Sequence, residues 1–320
     1  MYNRKTSHTM KAIFPVIILL SLSILFNVCS CQSFANAGSS SPAAKNLELR
    51  IMSFNIRYGS AGDGPNQWKN RKEMVFDVLR DHNPEIVGLQ EALNFQMTEI
   101  CTALGKYGQV GVAREDGKVD GEFSAILYDI ARFKVDESGT FWFSNTPEVP
   151  GSNHWGAACV RICTWARFIE RDTGKAFYVF NLHFDHVSQP AREKSAVLLA
   201  NRIKDRKHSE PFILTGDFNA GENNPVITYL KGETELTGAD GQKSKNPVPM
   251  IDSFRVLHPD VEDVKTGHAF RGTRKGNKID YVFIPLNIKV LEAEIIYDNI
   301  DGRYPSDHYP VNATLRLPAR

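Results

Sequence analysis

Eight residues with chemically useful side chains close or directly follow apolar runs of the sequence. They comprise four carboxylates, two amides and two histidines. They are Asn55, Glu91, His183, Asp217, Asn219, Asp280, Asp307 and His308. A single Asp or His at a strand end is most often a hydrogen-bonded structural group. Eight of them in one chain indicate a site to which several strands each contribute a side chain.

The types of these side chains favour a hard divalent cation. Mg²⁺ takes oxygen ligands and keeps several waters, so one or two carboxylates suffice to bind it. No cysteine pair has the ligand spacing of a structural zinc site. The segment HFDH, residues 183–186, leaves a histidine-rich zinc or copper site as an alternative, although its two histidines have opposite parity along an extended strand.

Strands and helices that alternate from residue 47 onward must position these side chains. Apolar alternation and β-branched or aromatic runs predict ten strands. They lie at 47–57, 85–91, 122–129, 133–144, 159–170, 176–184, 211–219, 278–285, 288–298 and 309–317. Apolar residues at helical spacing predict helices at 70–82, 94–104 and 191–207. This mixture predicts an α/β protein with a large sheet component and no domain boundary after residue 47.

Two halves of the chain share a spacing. Asn55 ends one predicted strand and Glu91 follows it by 36 residues; Asn181 ends another and Asp217 follows it by 36 residues. Each interval contains a strand end, a long helix, a proline and a second apolar strand. The parallel predicts two similar half-structures, each delivering an acid at a strand end along one edge of packed sheets.

The ordered motifs resemble those of the endonuclease/exonuclease/phosphatase superfamily. The matching segments are FNIR, GLQE, LH, GDFN, IDYVF and SDHYPV, and the resemblance runs from about Leu49 to Leu317. That superfamily includes deoxyribonuclease I-like nucleases, inositol polyphosphate 5-phosphatases and neutral sphingomyelinases. The resemblance implies a four-layered α/β sandwich, with two packed, mostly antiparallel mixed sheets flanked by helices. It also implies phosphoester hydrolysis with Mg²⁺ or Mn²⁺.

The resemblance also implies a role for each residue around the cation and the attacking water. Glu91 is expected to be the principal metal ligand, and Asn55 and Asp307 complete the inner or outer coordination shell. Asp217 is expected to activate or orient the water, and Asn219 to hold that water or a phosphate oxygen.

The histidines are expected to act on the phosphate. His308 would contact the scissile phosphate with Asp280 as its orienting partner, and His183 would donate to the phosphate or to the leaving oxygen. Both histidines are expected to be cationic, because positive charge stabilises the phosphate as its negative charge builds up in the transition state.

The substrate stays open between a small phosphoester, a lipid head group and a nucleic acid. Three residues are candidates for substrate binding: Arg57 in FNIR, Arg161 in CVRICTW, and His268 in TGHAFRG before the IDYVF strand. Without residues 1–37 the net charge is −2, so the sequence has no overall basic excess for gripping duplex DNA. A non-catalytic binding protein is disfavoured because binding alone does not require this polar set, and no obligate protein partner is evident.

Residues 1–37 have the pattern of an export signal. Three basic residues lie within the first eleven positions, an apolar run follows at 12–28, and no acidic residue occurs before Glu48. Cleavage after Ala37 and lipoprotein processing before Cys31 are both open, and Cys31 would then carry the lipid anchor. The alternative is a retained membrane anchor, for which the apolar run is short.

Downstream of the signal, residues 38–46 are predicted to be a flexible linker to a catalytic domain at 47–320. The protein is therefore expected in the periplasm, on the outer membrane as a lipoprotein, or secreted. Three cysteines remain in the exported form: Cys101, Cys159 and Cys163. Cys159 and Cys163 share one face of a predicted strand and are too far apart to bridge. Buried thiols are therefore expected, with one disulfide as the alternative.

Overall fold

Two six-stranded sheets pack face to face in the part of the protein, residues 46–318, that the computed structural model describes. The first contains β1 (Leu47–Asn55), β2 (Ile86–Gln90), β3 (Tyr107–Val110), β4 (Ile126–Asp129), β13 (Lys289–Ile295) and β14 (Val311–Leu317). The second contains β5 (Phe133–Trp142), β6 (Ile162–Glu170), β7 (Ala176–His183), β8 (Phe212–Asp217), β11 (Met250–Asp252) and β12 (Asp280–Pro285). A short hairpin, β9 (Glu235–Thr237) and β10 (Lys243–Lys245), lies outside both sheets.

Helices cover the outer face of each sheet. The helices are α1 (Trp68–Asp81), α2 (Asn94–Leu104), α3 (Gln189–Lys204), α4 (Pro225–Leu230) and α5 (Ser253–Leu257). The apolar faces of α1 and α2 pack on β1 and β2. The apolar faces of α3 and α4 pack on β7 and β8, and a third cluster fills the space between the sheets. The predicted four-layered sandwich is therefore confirmed.

Each sheet is mixed, with one parallel pair among antiparallel neighbours. The strand orders are β13-β14-β1-β2-β4-β3 and β11-β12-β8-β7-β6-β5. The parallel pairs are β1 with β2 and β7 with β8. Each pair is joined by a crossover helix, α1 or α3, as a parallel connection requires. The two predicted half-structures are therefore two strand–helix–strand units.

A polar network links the two sheets at the end that carries the site. Asn181 is fully buried; its Nδ2 donates to the carbonyl oxygens of Leu89 and Ala125, and its Oδ1 accepts from Gln90 Nε2 at 2.6 Å. Gly88 permits this approach, because a Cβ there would lie 2.1 Å from Thr215 Oγ1. Buried hydrogen bonds across the interface fix how the two groups of strand ends face each other.

Gly216 lies within β8, as the predicted strand at 211–219 requires, and a Cβ there would meet the carbonyl oxygen of Leu182 at 2.7 Å. The cysteine prediction is corrected by the fold. Cys159 precedes β6 and does not share its strand with Cys163. The three described cysteines are free thiols, and of these Cys163 alone is buried.

The predictions on the N-terminal segment lie outside the described residues. They concern the export signal at 1–37, the lipid anchor at Cys31 and all but the last residue of the linker at 38–46. Within residues 46–318, no helix combines the length and the apolar character needed to cross a membrane.

Candidate active site

The predicted polar residues surround an open cavity of about 600 Å³. Those that line it are Arg57, Glu91, Arg161, His183, Asp217, Asn219, Asp307 and His308. Asn55 and Asp280 are each 1% exposed and lie behind this surface. They hydrogen-bond to lining residues, Asn55 to Glu91 and Asp280 to His308. The eight strand-end residues therefore meet in one place with two of the three predicted substrate-binding residues, Arg57 and Arg161.

The register of the strands explains this convergence. Asn55 is the last residue of β1, and Glu91 follows the adjacent end of β2. His183 and Asp217 face each other at the ends of the parallel strands β7 and β8. Asp280 begins β12 and lies opposite Asp217 in the antiparallel direction. Three functional side chains of the second sheet thus lie within one row of its hydrogen-bonding ladder.

Three residues of the site have a left-handed backbone. The φ angles are 55° at Arg57, 58° at Glu91 and 47° at Asn219. Positive φ is uncommon for residues other than glycine, and such conformations cluster at functional sites, where surrounding contacts hold them. At Glu91 these contacts include hydrogen bonds to both carboxylate oxygens, from Asn55 Nδ2 at 3.0 Å and from the Tyr58 backbone N–H at 3.1 Å.

Glu91 and Asp307 form the acidic side of the cavity. Arg57 lies between them, 3.8 Å from the nearest carboxylate oxygen of each, and pairs with Asp63 through two 3.0 Å hydrogen bonds. Burial raises the pKa of Asp307, and the nearby Glu91 carboxylate raises it further. Two carboxylates held close enough to repel each other, with the Asn55 amide beside them, are hard oxygen donors that fit a divalent cation.

Asp217 lies at the back of the cavity and is 1% exposed. Its Oδ1 accepts from the backbone N–H of Asn219 at 2.9 Å, and its Oδ2 accepts from Asn55 Nδ2 at 3.0 Å. Burial, followed by the charge of Asp280, raises the pKa of Asp217 to about 7. A carboxylate with a pKa near neutrality is suited to take a proton from water.

His308 has two acidic neighbours. Its Nδ1 lies 2.8 Å from Asp280 Oδ2, and its Nε2 lies 3.9 Å from Asp217 Oδ2. Burial would lower the pKa of His308, but the carboxylates of Asp280 and Asp217 outweigh burial and raise it well above its ordinary value. His308 is therefore cationic at neutral pH, as the sequence predicts.

His183 differs from His308 in its charge. Its Nδ1 lies 2.9 Å from the guanidinium of Arg161, and its Nε2 lies 3.4 Å from Asp217 Oδ2. Burial, followed by the charge of Arg161, lowers the pKa of His183 well below its ordinary value. The expectation that both histidines are cationic is therefore corrected: His183 is a neutral imidazole.

The segment HFDH does not form a histidine metal site. His183 and His186 each direct Nδ1 at Arg161, at 2.9 and 3.1 Å. Asp185 caps the intervening turn, accepting from the backbone N–H groups of Val187 and Ser188. A cationic guanidinium at the shared position is incompatible with a zinc or copper ion between the two imidazoles.

His268 does not line the cavity. Its ring is 1% exposed and stacks on Tyr309 with centroids 3.9 Å apart. Its backbone N–H donates to the carbonyl oxygen of Asp307 at 2.7 Å. The structure therefore gives His268 a supporting position beneath the loop that carries Asp307, which differs from the substrate contact predicted.

Two cavity residues carry no sequence signal of their own. Arg114 and Glu122 flank a hairpin loop, pair at 2.6 Å and contribute to the cavity wall. Burial raises the pKa of Glu122, although the charge of Arg114 opposes this. Cys159 also lines the cavity.

Arg71 is another residue that the motifs do not reveal, and it lies beneath the site. It is 2% exposed and donates to the carbonyl oxygens of Asn66, Ile56, Arg57 and Pro305 at 2.7–2.9 Å. It therefore ties the loop that follows Asn55 to the loop that precedes Asp307. An arginine on the apolar stripe of α1, between Trp68 and Met74, is the signal that could have revealed it.

Comparison with known proteins places the chain among relatives of the same architecture. The model of the Endonuclease/Exonuclease/phosphatase family matches residues 52–308. The chain belongs to this family. Members of this family hydrolyse phosphoester bonds and generally depend on a divalent metal, so the chain is a phosphoester hydrolase.

Three relatives illustrate the similarity. A family member from Bacteroides vulgatus is 33% identical with a TM-score of 0.76, over 85% of this chain and 100% of that chain. A mannosyl-6-phosphatase from Bacteroides thetaiotaomicron is 32% identical with a TM-score of 0.73, over 83% of this chain and 99% of that chain. An Acanthamoeba polyphaga mimivirus protein, L388, is 30% identical over 77% of this chain and 91% of its own length.

Proposed function

We propose that this protein is an exported, divalent-cation-dependent phosphatase acting on a phosphomonoester of a small, hydroxyl-rich molecule such as a sugar phosphate. The observation that carries the catalytic part is the meeting of Asp217, neutral His183 and cationic His308 beside the Glu91–Asp307 pair in one cavity. Such a set contains a proton acceptor, a neutral donor and a cation for one phosphate group.

The protein's own groups divide the reaction between them. Asp217 accepts the proton of the attacking water, and Asn219 orients that water or a phosphate oxygen. His308, held by Asp280, places a cationic N–H against the phosphate as negative charge builds up. His183 donates a neutral N–H to the phosphate or to the leaving oxygen. Asn55 fixes Asp217 and Glu91 relative to each other through its two 3.0 Å hydrogen bonds.

Glu91 and Asp307, with Asn55, are the residues that would hold Mg²⁺ or Mn²⁺, and the cation would supply positive charge to the phosphate oxygens. Asp217, Asp280 and His308 are a second donor group, with one ligand atom of each within 4.8 Å of the others. In that group His308 is protonated and hydrogen-bonded to Asp280 at 2.8 Å, so its ring nitrogens offer no free lone pair to a cation. Each carboxylate oxygen of Glu91 accepts one hydrogen bond and keeps a lone pair, so the Glu91–Asp307 pair is the better cation site.

The cavity wall supports a small, polar substrate. Among the described residues that line it, Tyr58 is the only Phe, Tyr or Trp, and its ring faces the guanidinium of Arg57 at 4.7 Å. Binding of single-stranded nucleic acid generally uses aromatic side chains on which bases stack. The Arg114–Glu122 pair offers a donor and an acceptor for sugar hydroxyls instead, and the acid disfavours a polyanion. Similarity to the mannosyl-6-phosphatase supports the same substrate class.

A substrate panel tests this proposal. Sugar 6-phosphates, p-nitrophenyl phosphate, bis-p-nitrophenyl phosphate, plasmid DNA, RNA and sphingomyelin are assayed with Mg²⁺ or Mn²⁺, and with EDTA as the control. We expect the highest kcat/KM on a sugar phosphate and no activity in EDTA. Higher kcat/KM on a nucleic acid or on sphingomyelin would overturn the substrate class, and activity that persists in EDTA would overturn the cation dependence.

Export is proposed from the sequence of residues 1–37. Labelled palmitate incorporation into the full chain, with Cys31→Ser as the comparison, separates the two processing routes. Label that depends on Cys31 identifies a lipoprotein, and unlabelled protein outside the cytoplasm identifies an ordinary signal peptide. Full-length protein retained in the cytoplasm would contradict export.

A further inference from the structure

Arg161 is a deeply buried cation that faces two histidines of the cavity, His183 and His186. It is 6% exposed and lies just before β6. One terminal nitrogen meets His183 Nδ1 at 2.9 Å and the other meets His186 Nδ1 at 3.1 Å. Its Nε makes no hydrogen bond and lies 4.0 Å from Asp185 Oδ2, and one terminal nitrogen lies 3.9 Å from Glu122 Oε2. The guanidinium is thus held where it faces both imidazoles.

The chemistry of a guanidinium determines which nitrogen of His183 carries the proton. Arginine has five N–H donors and no acceptor. His183 Nδ1 must therefore accept from Arg161, and a neutral imidazole that accepts at Nδ1 carries its proton on Nε2. A proton on both nitrogens would place two N–H groups against each other at 2.9 Å.

Two side chains face Nε2. Its nearest acceptor is Asp217 Oδ2 at 3.4 Å. Asn219 Nδ2, which also donates to the carbonyl oxygen of Phe184 at 3.0 Å, lies 3.0 Å away. His183 faces a nitrogen donor on each side, and only one of the two donors can be accepted by an imidazole that carries a proton. Because a guanidinium has no acceptor whereas an amide has one, Asn219 is the neighbour that must turn its Oδ1 toward Nε2. The Nε2–H of His183 therefore points toward Asp217 and the cavity, where the phosphate of a substrate would lie.

We propose that Arg161 is a positioning residue that holds His183 in its neutral Nε2–H tautomer and so presents a fixed hydrogen-bond donor to the reacting phosphate. The two histidines then have different tasks. His308, paired with Asp280, supplies positive charge, whereas His183 supplies a directed donor without a charge. Partners that fix the tautomer of a site histidine typically change activity by about 10–100-fold when removed.

Direct observation of the imidazole protons tests the tautomer. Histidine-labelled protein is examined by two-bond ¹H–¹⁵N correlation spectroscopy at neutral pH, and the His183 signals are assigned by their absence in His183→Asn. We expect the Nε2–H pattern in the wild type and a mixture of tautomers in Arg161→Met. An Nδ1–H or a doubly protonated His183 in the wild type would overturn the proposal without any variant.

Kinetics on the substrate that the panel identifies test the consequence. The kinetic test rests on the proposed phosphatase activity, whereas the NMR spectrum does not. Failure of the tautomer proposal is therefore distinguishable from failure of the proposed function. We expect kcat to fall by about 10–100-fold in Arg161→Met with a smaller change in KM. Added guanidinium ions should restore part of kcat in that variant.

Arg167 provides the matched control. It lies in β6, and its side chain pairs with Glu210 and Asp136 away from the cavity. Arg167→Met should leave both the His183 spectrum and kcat unchanged. Arg161→Lys serves as a second variant, since lysine also only donates; it should keep the Nε2–H pattern. Unchanged kcat and tautomer in folded Arg161→Met would overturn the proposal.

Discussion

Replacing Arg71 by methionine should weaken both the fold and cation binding. Its guanidinium donates to four carbonyl oxygens, and all four bonds are 2.7–2.9 Å long. Hydrogen bonds to a charged group contribute about 1.5–3 kcal/mol each, but desolvating a buried guanidinium offsets much of that sum. Breaking such a buried network costs about 3–5 kcal/mol in the free energy of unfolding. The free energy of unfolding of Arg71→Met, measured by urea denaturation, should therefore be lower than that of the wild type by about 3–5 kcal/mol.

The same change should loosen the cation site. Ile56 and Arg57 directly follow Asn55, and Pro305 precedes Asp307 by two residues. The hydrogen bonds from Arg71 to these three carbonyl oxygens therefore set the separation of the proposed ligands Asn55 and Asp307. The charge of Arg71 also lowers the pKa of Asp307, an effect that methionine removes. We expect Mn²⁺ affinity to fall by about 10–100-fold, or about 1.4–2.8 kcal/mol.

Isothermal titration with Mn²⁺ measures this effect, and a residue on the same helix controls for it. Arg80 pairs with Asp77 on the surface and is 53% exposed. Arg80→Met should change stability by less than about 0.5 kcal/mol and leave cation affinity unchanged. Wild-type Mn²⁺ affinity and wild-type stability in Arg71→Met would refute this role of Arg71 in holding the two loops together.

Three further predictions concern Asp217 and His268. Asp217→Asn should lower kcat by about 10²–10⁴-fold in steady-state assays, and a wild-type rate would exclude Asp217 as the proton acceptor. In EDTA, Asp217→Asn should be more stable than the wild type at pH 8 in urea denaturation. The reason is that burial and Asp280 raise the folded pKa of Asp217 from 3.8 to about 7, so its stabilising contribution is complete below about pH 4 and lost as the pH rises through 7. The free energies of unfolding of the two proteins should converge near about pH 4. A difference in stability that is the same at about pH 4 and pH 8 would contradict this. His268→Phe should leave KM unchanged because the ring stacks on Tyr309 outside the cavity, and a large rise in KM would restore the predicted substrate contact.

The sequence predicts much of the framework because long periodic segments determine it. The helix expected at 94–104 has the bounds of α2. The short strands β9, β10 and β11 have three residues each and were not predicted, since three residues carry no measurable periodicity. The four-residue strand β3 was not predicted either. Local pattern therefore identifies the long strands of both sheets and misses short ones, including β3 and β11 at the sheet edges.

The internal spacing predicts equivalent elements but not equivalent roles. Both 36-residue intervals contain a strand, a helix and a parallel strand. Asn55 contacts Glu91 and Asp217 at the site, whereas Asn181 lies between the sheets and binds the backbone of Leu89. The difference arises because β7 continues two residues past Asn181, which places His183 at the strand end instead.

The contacts that tune the site lie beyond local sequence. Arg71 reaches Pro305 across 234 positions, and Arg161 reaches His183 across 22. Burial and that second contact together lower the pKa of His183, so the motif alone gave the wrong ionisation. Residue types at strand ends predict which groups meet, whereas their protonation follows from neighbours that tertiary packing supplies.

A crystal structure with Mn²⁺ and inorganic phosphate tests the central claim most directly. We predict one strong anomalous peak bound by Glu91 and Asp307, with phosphate oxygens in contact with His183 Nε2 and His308. Mn²⁺ bound instead between Asp217, Asp280 and His308, or phosphate bound outside this cavity, would contradict the proposed active site.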